Sequence, residues 1–148
     1  MTTIGFFVPG EPKGNARHRT PRSGHTYTPQ STTAARAEIA AAYLDAVGAI
    51  FPHEGPVELD IVACFGIRSS WPKWKRALAM SEDVPCCTKP DADNIAKLVA
   101  DSLNCIAYRD DSQIHSLTVS KMYSQSPGLH VWLSLQEPTR QHAGESAR

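Results

Sequence analysis

The stretch from Lys89 to Ile114, KPDADNIAKLVADSLNCIAYRDDSQI, restricts the fold more than any other, because it must satisfy two opposed demands. Pro90 disfavours helix at Lys89, so a helix can begin only beyond it, with Asp91 or Asp93 as N-cap. At about 100° per residue, Ile95, Leu98, Val99, Ser102, Leu103 and Ile106 fall on one side, which has to pack on a sheet. Asp93, Lys97, Asp101 and Asn104 fall in a narrow arc on the opposite side, with Asn94 beside them. Asp91 precedes this helix, and Asp110 and Asp111 follow it. One segment therefore has to bury half of its surface while gathering carboxylates on or near the other half.

Strands to receive that helix are written elsewhere. In VELDIVACFGI, Val57, Leu59, Ile61, Ala63 and Phe65 alternate with the other residues, the pattern of a half-buried strand. IGFFV at residues 4 to 8 ends at Pro9 and Gly10, which predicts a first strand. IHSLTVSKMY and LHVWLSL alternate on either side of an SPG turn and predict a hairpin. From Gln30 to Ile50 the alanine-rich run places Ile39, Tyr43, Ala46, Val47 and Ile50 on one helical face, with Ser31 or Thr32 as its cap. KWKRALAMSE suggests a short helix inside the connector 68–88. Residues 11 to 28, rich in Pro, Gly, Arg, His and Thr, read as an extended arm, with a short strand near His25 to Thr28.

A chain of 148 residues, 41% apolar and 20% charged, fits one soluble domain. The expected boundaries are 1–136 for the domain and 137–148 for a tail, EPTRQHAGESAR, with nothing to bury. No apolar run reaches the roughly 18 to 20 residues of a membrane span, and no leader pattern opens the chain, so a cytoplasmic location is expected. Cys64, Cys86, Cys87 and Cys105 form no C-x-x-C pair and read as reduced thiols, Cys105 as a core residue. The six histidines show no metal-ligand spacing, and no glycine-rich phosphate loop is present.

The net charge is zero, but its distribution is uneven. Between Glu11 and Glu38 there is no acid, while Lys13, Arg17, Arg19, Arg22 and Arg36 supply a basic segment with His18 and His25. Arg68, Lys73, Lys75 and Arg76 form a second cluster around Trp71 and Trp74, which suit either base stacking or packing on their own domain. An acidic focus in a basic surround is what an enzyme acting on a polyphosphate needs.

An ordinary solvated helix face explains the acids equally well in isolation, as a cap plus i,i+4 pairs. Two features favour chemistry. Asp91 and Asp93 sit two apart at a turn, and Asp110 and Asp111 enter just before a strand; a strand lying beneath the helix would return Asp111 to Asp91 and Asp93. Carboxylates so crowded repel, and either take up protons or bind a divalent cation. All-oxygen ligands favour Mg²⁺, with Mn²⁺ as substitute. Lys97, one turn after Asp93, is placed to contact the scissile phosphate, and the chemistry that fits is phosphodiester hydrolysis.

The motifs K-P-D-A-D-N-I-x-K at 89 to 97, D-S-L-N at 101 to 104 and D-D-S-Q-I at 110 to 114 followed by Lys121, with F-x-V-P-G-x-P at 6 to 12 and Y-T-P at 27 to 29, occur together in order. In this the chain resembles the RusA-like endodeoxyribonucleases, the Holliday junction resolvases of phages and prophages. The resemblance implies a small α+β domain, a mixed or antiparallel sheet packed with two main helices, working as an intertwined homodimer on branched DNA in a bacterial host. It implies Asp91, Asp93 and Asp111 as metal carboxylates, Asp110 as an alternative to Asp111, and Lys97 with Asp93 in catalysis. DNA contacts are expected from Lys13, Arg17, Arg19, Arg22, Lys73, Lys75, Arg76, Lys89 and Lys121. Two other functions suit the residues: a junction-binding protein with a structural ion, and a metal-dependent hydrolase of small phosphate esters. Asp101 has no assigned role.

Overall fold

The computed structural model describes residues 1–15, 22, 24, 29–48 and 51–138. In chain order the elements are β1 (Thr2–Pro9), α1 (Gln30–Val47), β2 (Val57–Gly66), α2 (Lys73–Met80), α3 (Ala92–Leu103), a 3-10 turn (Asp111–Gln113), β3 (Ile114–Ser124) and β4 (Gly128–Leu135). The strands make one mixed sheet in the order β1-β4-β2-β3. β4 is antiparallel to both β1 and β2, and β3 is parallel to β2. This is a single small α+β domain. The expected strand at His25 to Thr28 lies outside the described residues, whereas the first helix, expected to run to Ile50, ends at Val47, where Gly48 takes a left-handed φ of 74°.

The predicted hairpin does not form. β3 and β4 are consecutive, yet β2 lies between them, and residues 125–127 carry the chain across the end of β2. Alternation fixes which side chains share a face but says nothing about which strand lies alongside. The strongest apolar run, β2, takes the central position, where both its edges are bonded. β3 is left at the rim of the sheet, with Leu117 half exposed.

One face of the sheet carries the core. Leu59, Ile61 and Phe65 of β2 and Val131 and Leu133 of β4 are buried there beneath Ile39 and Tyr43 of α1 and Ile95, Leu98, Val99 and Leu103 of α3. Each of these large side chains contributes about 1.5 to 3 kcal/mol by leaving water. The apolar side of α3 is thus buried as the wheel predicts, apart from Ile106, which lies beyond the helix end and is only half-buried. α1 begins at Pro29 with no side-chain cap, and Thr32, expected as a possible cap, is buried. The opposite face of the sheet is more open and bears an aromatic row. Phe7 lies 4.6 Å from His130, and His130 stacks on Trp132 at 5.8 Å. Gly5 makes room for that indole, since a Cβ there would stand 2.9 Å from Trp132 Cδ1.

The parallel pairing of β2 with β3 determines how α3 runs. A parallel pair needs a crossover, and α3 supplies it by running back against both strands. Its start lies at the Gly66 end of β2, where Tyr123 Oη is 3.2 Å from Thr88 Oγ1. Its end lies at the Val57 end, where His53 N–H bonds Ala107 O at 2.9 Å and Arg109 N–H bonds His53 O at 3.3 Å. The last carbonyls of a helix lack internal partners. In α3 the buried Tyr108 hydroxyl donates to Ala100 O at 2.6 Å, and Ala107 N–H donates to Leu103 O at 2.9 Å. Tyr108→Phe should cost about 1 to 2 kcal/mol by stranding the Ala100 carbonyl. Urea denaturation checks this, and an unchanged midpoint would refute the capping role.

Candidate active site

α3 places its two leading carboxylates where a ligand can reach them. Asp91 occupies the N-cap position with extended backbone, but its side chain makes no capping bond. Asp93 lies in the first turn, and both residues are exposed. Neither carboxylate has a hydrogen-bond or ion-pair partner among the described residues. Negative charge at a helix start is favoured by the helix dipole, which lets two acids stand together unneutralised. Lys97, one turn on, makes no ion pair with Asp93. Its ammonium lies 3.8 Å from Asp101 Oδ2, with the lysine side chain 65% exposed.

Asp110 and Asp111 differ in how far they are committed. Asp110 Oδ2 accepts from Ser112 N–H at 3.1 Å, and Gln113 Oε1 accepts from Asp110 N–H at 2.9 Å, a reciprocal cap on the 3-10 turn. Gln113 Nε2 then donates to His53 O at 2.9 Å and to Gly55 O at 2.8 Å, fastening the turn to the segment before β2. Asp111 is exposed and has no partner among the described residues. Of the two, Asp111 is the carboxylate free to bind something. Gln113, which holds it in place, was not singled out in the sequence, although a D-x-x-Q capping box was there to be read.

The structure does not bring Asp111 to Asp91 and Asp93 within one chain. Because α3 runs against β2 and β3, its start and the turn that follows it lie at opposite ends of the sheet. A helix of 12 residues separates them by roughly 18 Å. Among the described residues no three His, Cys, Asp or Glu side chains are grouped closely enough to hold a metal ion. The donor chemistry of Asp91 and Asp93 suits a hard divalent cation, but one chain presents the pair without a third carboxylate.

Of the expected cations, Lys89 and Lys121 lie toward the Gly66 end. Lys89 lines a cleft of about 380 Å³ with Arg68, Trp71, Thr88 and Glu11. Lys121 lies 5.3 Å above the Phe65 ring on the helix-bearing face of β3. Lys75 sits 4.2 Å over the Trp71 ring, whose edge meets Tyr123 at 5.2 Å, so Trp71 packs on its own domain whereas Trp74 is 66% exposed. Lys13, Arg22 and Lys73 are exposed, and Arg76 is half-buried. Arg17 and Arg19 lie outside the described residues. All four cysteines are free, and Cys105, expected in the core, is exposed at a backbone φ of 65°, just beyond the C-cap of α3. No helix among the described residues is long and apolar enough to cross a membrane.

A mixed sheet crossed by a helix that opens on two exposed carboxylates defines a small α+β domain. The family model for endodeoxyribonuclease RusA matches residues 9–134, most of the chain, and the protein belongs to that family. It is therefore an endodeoxyribonuclease. YqaN of Bacillus subtilis (strain 168), described as an uncharacterized protein, is 33% identical over 140 residues, which cover 90% of this chain and 96% of YqaN.

The hydrogen bonds from Ser112 hold the Asp110 carboxyl below its ordinary pKa. A lowered folded pKa stabilises the fold above the unfolded value and ceases to do so as pH falls through the folded one. Relative to Asp110→Asn, the wild type should hold a constant melting temperature from neutral pH to about 5 and lose ground below about 4. A difference that stays flat down to pH 3 would show that Asp110 does not cap the turn as an anion.

Proposed function

We propose that the protein is a Mg²⁺-dependent endonuclease that resolves Holliday junctions by paired symmetric nicks, acting as a homodimer in DNA recombination and repair. The observation that carries this reading is the exposed pair Asp91 and Asp93 at the start of α3, without a side-chain partner among the described residues, with Lys97 one turn away, in a member of the RusA family. Asp91, Asp93 and Asp111 would hold the ion, and Mn²⁺ would serve in its place. When bound, the ion supplies positive charge at a phosphoryl oxygen and makes water more acidic. Lys97 answers the charge that develops on the phosphate during cleavage. Lys89 and Lys121 extend the positive rim on the same side, and Lys13, Arg17, Arg19, Arg22, Lys73, Lys75 and Arg76 bind the flanking backbone. In this reading residues 1–136 form the nuclease domain, residues 137–148 a tail, and the enzyme works in the cytoplasm of a phage-bearing bacterium.

Two chains would overcome the separation of the carboxylates. If the start of α3 in one protomer faces the Asp110–Gln113 turn of its partner, each dimer forms two equivalent three-carboxylate sites, one for each nick. Among the described residues the outer edge of β3, next to that turn, pairs with no other strand, which favours such an arrangement.

The test is a junction-cleavage assay in Mg²⁺ with two inactivating variants. Asp93→Asn and Asp111→Asn should each lower cleavage about 100-fold or more while junction binding persists, since each removes a negative charge near phosphate. Mixed and allowed to exchange subunits, the two inactive proteins should regain single nicks, because a mixed dimer contains one site with both aspartates intact. A mixture as inactive as its components would place all three carboxylates in one chain. Full activity of Asp93→Asn would remove the metal assignment altogether.

A further inference from the structure

Asp101, which the proposed chemistry does not use, stands at the centre of a polar cluster. Asn15 Nδ2 donates to its Oδ2 at 3.1 Å, and Arg36 Nη2 reaches the same oxygen at 3.4 Å and Asn15 Oδ1 at 3.1 Å. Lys97 Nζ is the third group on that oxygen, at 3.8 Å. Three elements therefore meet at one carboxylate: the segment after β1, α1 and α3. The Asp101 side chain is only 25% exposed and that of Arg36 32%, so this cluster is partly withdrawn from water.

The chain is led to this cluster in steps. Gly10 N–H bonds Pro127 O at 3.1 Å, Glu11 Oε1 accepts from Gly66 N–H at 2.8 Å, and Asn15 N–H bonds Asn94 O at 3.3 Å. Gly14 passes so close to the start of α3 that a Cβ there would lie 2.8 Å from Pro90 Cβ and 3.0 Å from Asn94 Cβ. Asn15 ends this track, and the residues that follow it in sequence bring Arg17, Arg19 and Arg22.

We propose that Asp101, Asn15 and Arg36 form a positioning clamp that fixes the chain at Asn15, the residue from which the basic segment with Arg17, Arg19 and Arg22 follows in sequence, on the polar side of α3 that also presents Asp93 and Lys97. The inference rests on the DNA-cleaving reading above. The clamp makes arm and carboxylates engage one DNA backbone at a set spacing, and it keeps Lys97 turned toward Asp101 until a phosphate draws it forward. Asp101 touches no substrate in this account; it acts through the arm and through Lys97.

Electrostatics alone and the clamp predict opposite signs. Removing a carboxylate near a polyanion should tighten DNA binding, whereas loosening the arm should weaken it and flatten its salt dependence, because fewer phosphates are engaged together. Binding of a labelled four-way junction in EDTA is measured against salt, well below every variant's melting temperature. Asp101→Ala and Asn15→Ala, the second with no change of charge, are each expected to bind about tenfold more weakly with a shallower slope. Asp101→Asn keeps an oxygen acceptor and is expected to restore affinity to near wild type. Hydrogen exchange over residues 10–15 reads the clamp without DNA and should rise in Asp101→Ala but not in Asp101→Asn. Unchanged or tighter binding by Asp101→Ala, equal loss in Asp101→Asn, or unaltered exchange in Asp101→Ala would each overturn the clamp. A wild type with no preference for branched over linear DNA would instead overturn the functional reading and leave exchange to judge the clamp.

Discussion

The burial of one side of α3 against a parallel pair of strands is the constraint from which the rest of the site follows. Ile95, Leu98, Val99 and Leu103 leave the helix no freedom to rotate, because turning it would exchange core side chains for Asp93, Lys97 and Asp101. Parallel pairing of β2 with β3 then fixes its direction. Rotation decides which residues face outward, and direction decides where along the sheet they appear. The carboxylate pair at the helix start owes its place to hydrophobic packing and its availability to the lack of a side-chain partner among the described residues.

That same direction accounts for the separation of Asp111 from Asp91 and Asp93. A helix that runs back across a parallel pair necessarily puts the residues before it and the residues after it at opposite ends of the strands. No change of loop length between α3 and β3 would bring Asp111 to Asp91 while both strands keep their register. In the proposed mechanism the third carboxylate therefore comes from a second copy of the chain, which would supply two equal sites at once.

Local pattern made much of this legible in the sequence. Period-two alternation located β2 and the two later strands, and the helical wheel separated the buried side of α3 from its polar side residue by residue. What it did not reveal depends on long-range pairing. The chain between β3 and β4 looks like a hairpin turn, and only the insertion of β2 makes it a crossing. Asp111 looked close to Asp93 because the intervening loop is short, while the helix itself is the distance between them. Cys105 seemed apolar from its neighbour Ile106, yet the chain leaves the helix there in a left-handed turn. The assignment of Asp101 required seeing Asn15, a residue 86 positions away in sequence, on its carboxylate.

Charge ties these features together. Asp91 and Asp93 repel the phosphate that a nuclease must bring to them, so the protein has to supply enough cation nearby to reverse the local field before a metal arrives. In the proposed function that cation comes from Lys97 on α3, Lys121 on β3 and Lys89 just before α3. The arginines after Asn15 belong to a segment whose composition gives it no core of its own, and their effect at the carboxylates depends on where that segment is tethered. A charge on a free chain is averaged over its reach and weakened by screening within about 10 Å. Held at its root, the same charge acts at one place. In the proposed clamp, the carboxylate on α3 that binds Asn15 and Arg36 places its own negative charge near DNA in exchange for a set position of the basic segment that follows Asn15.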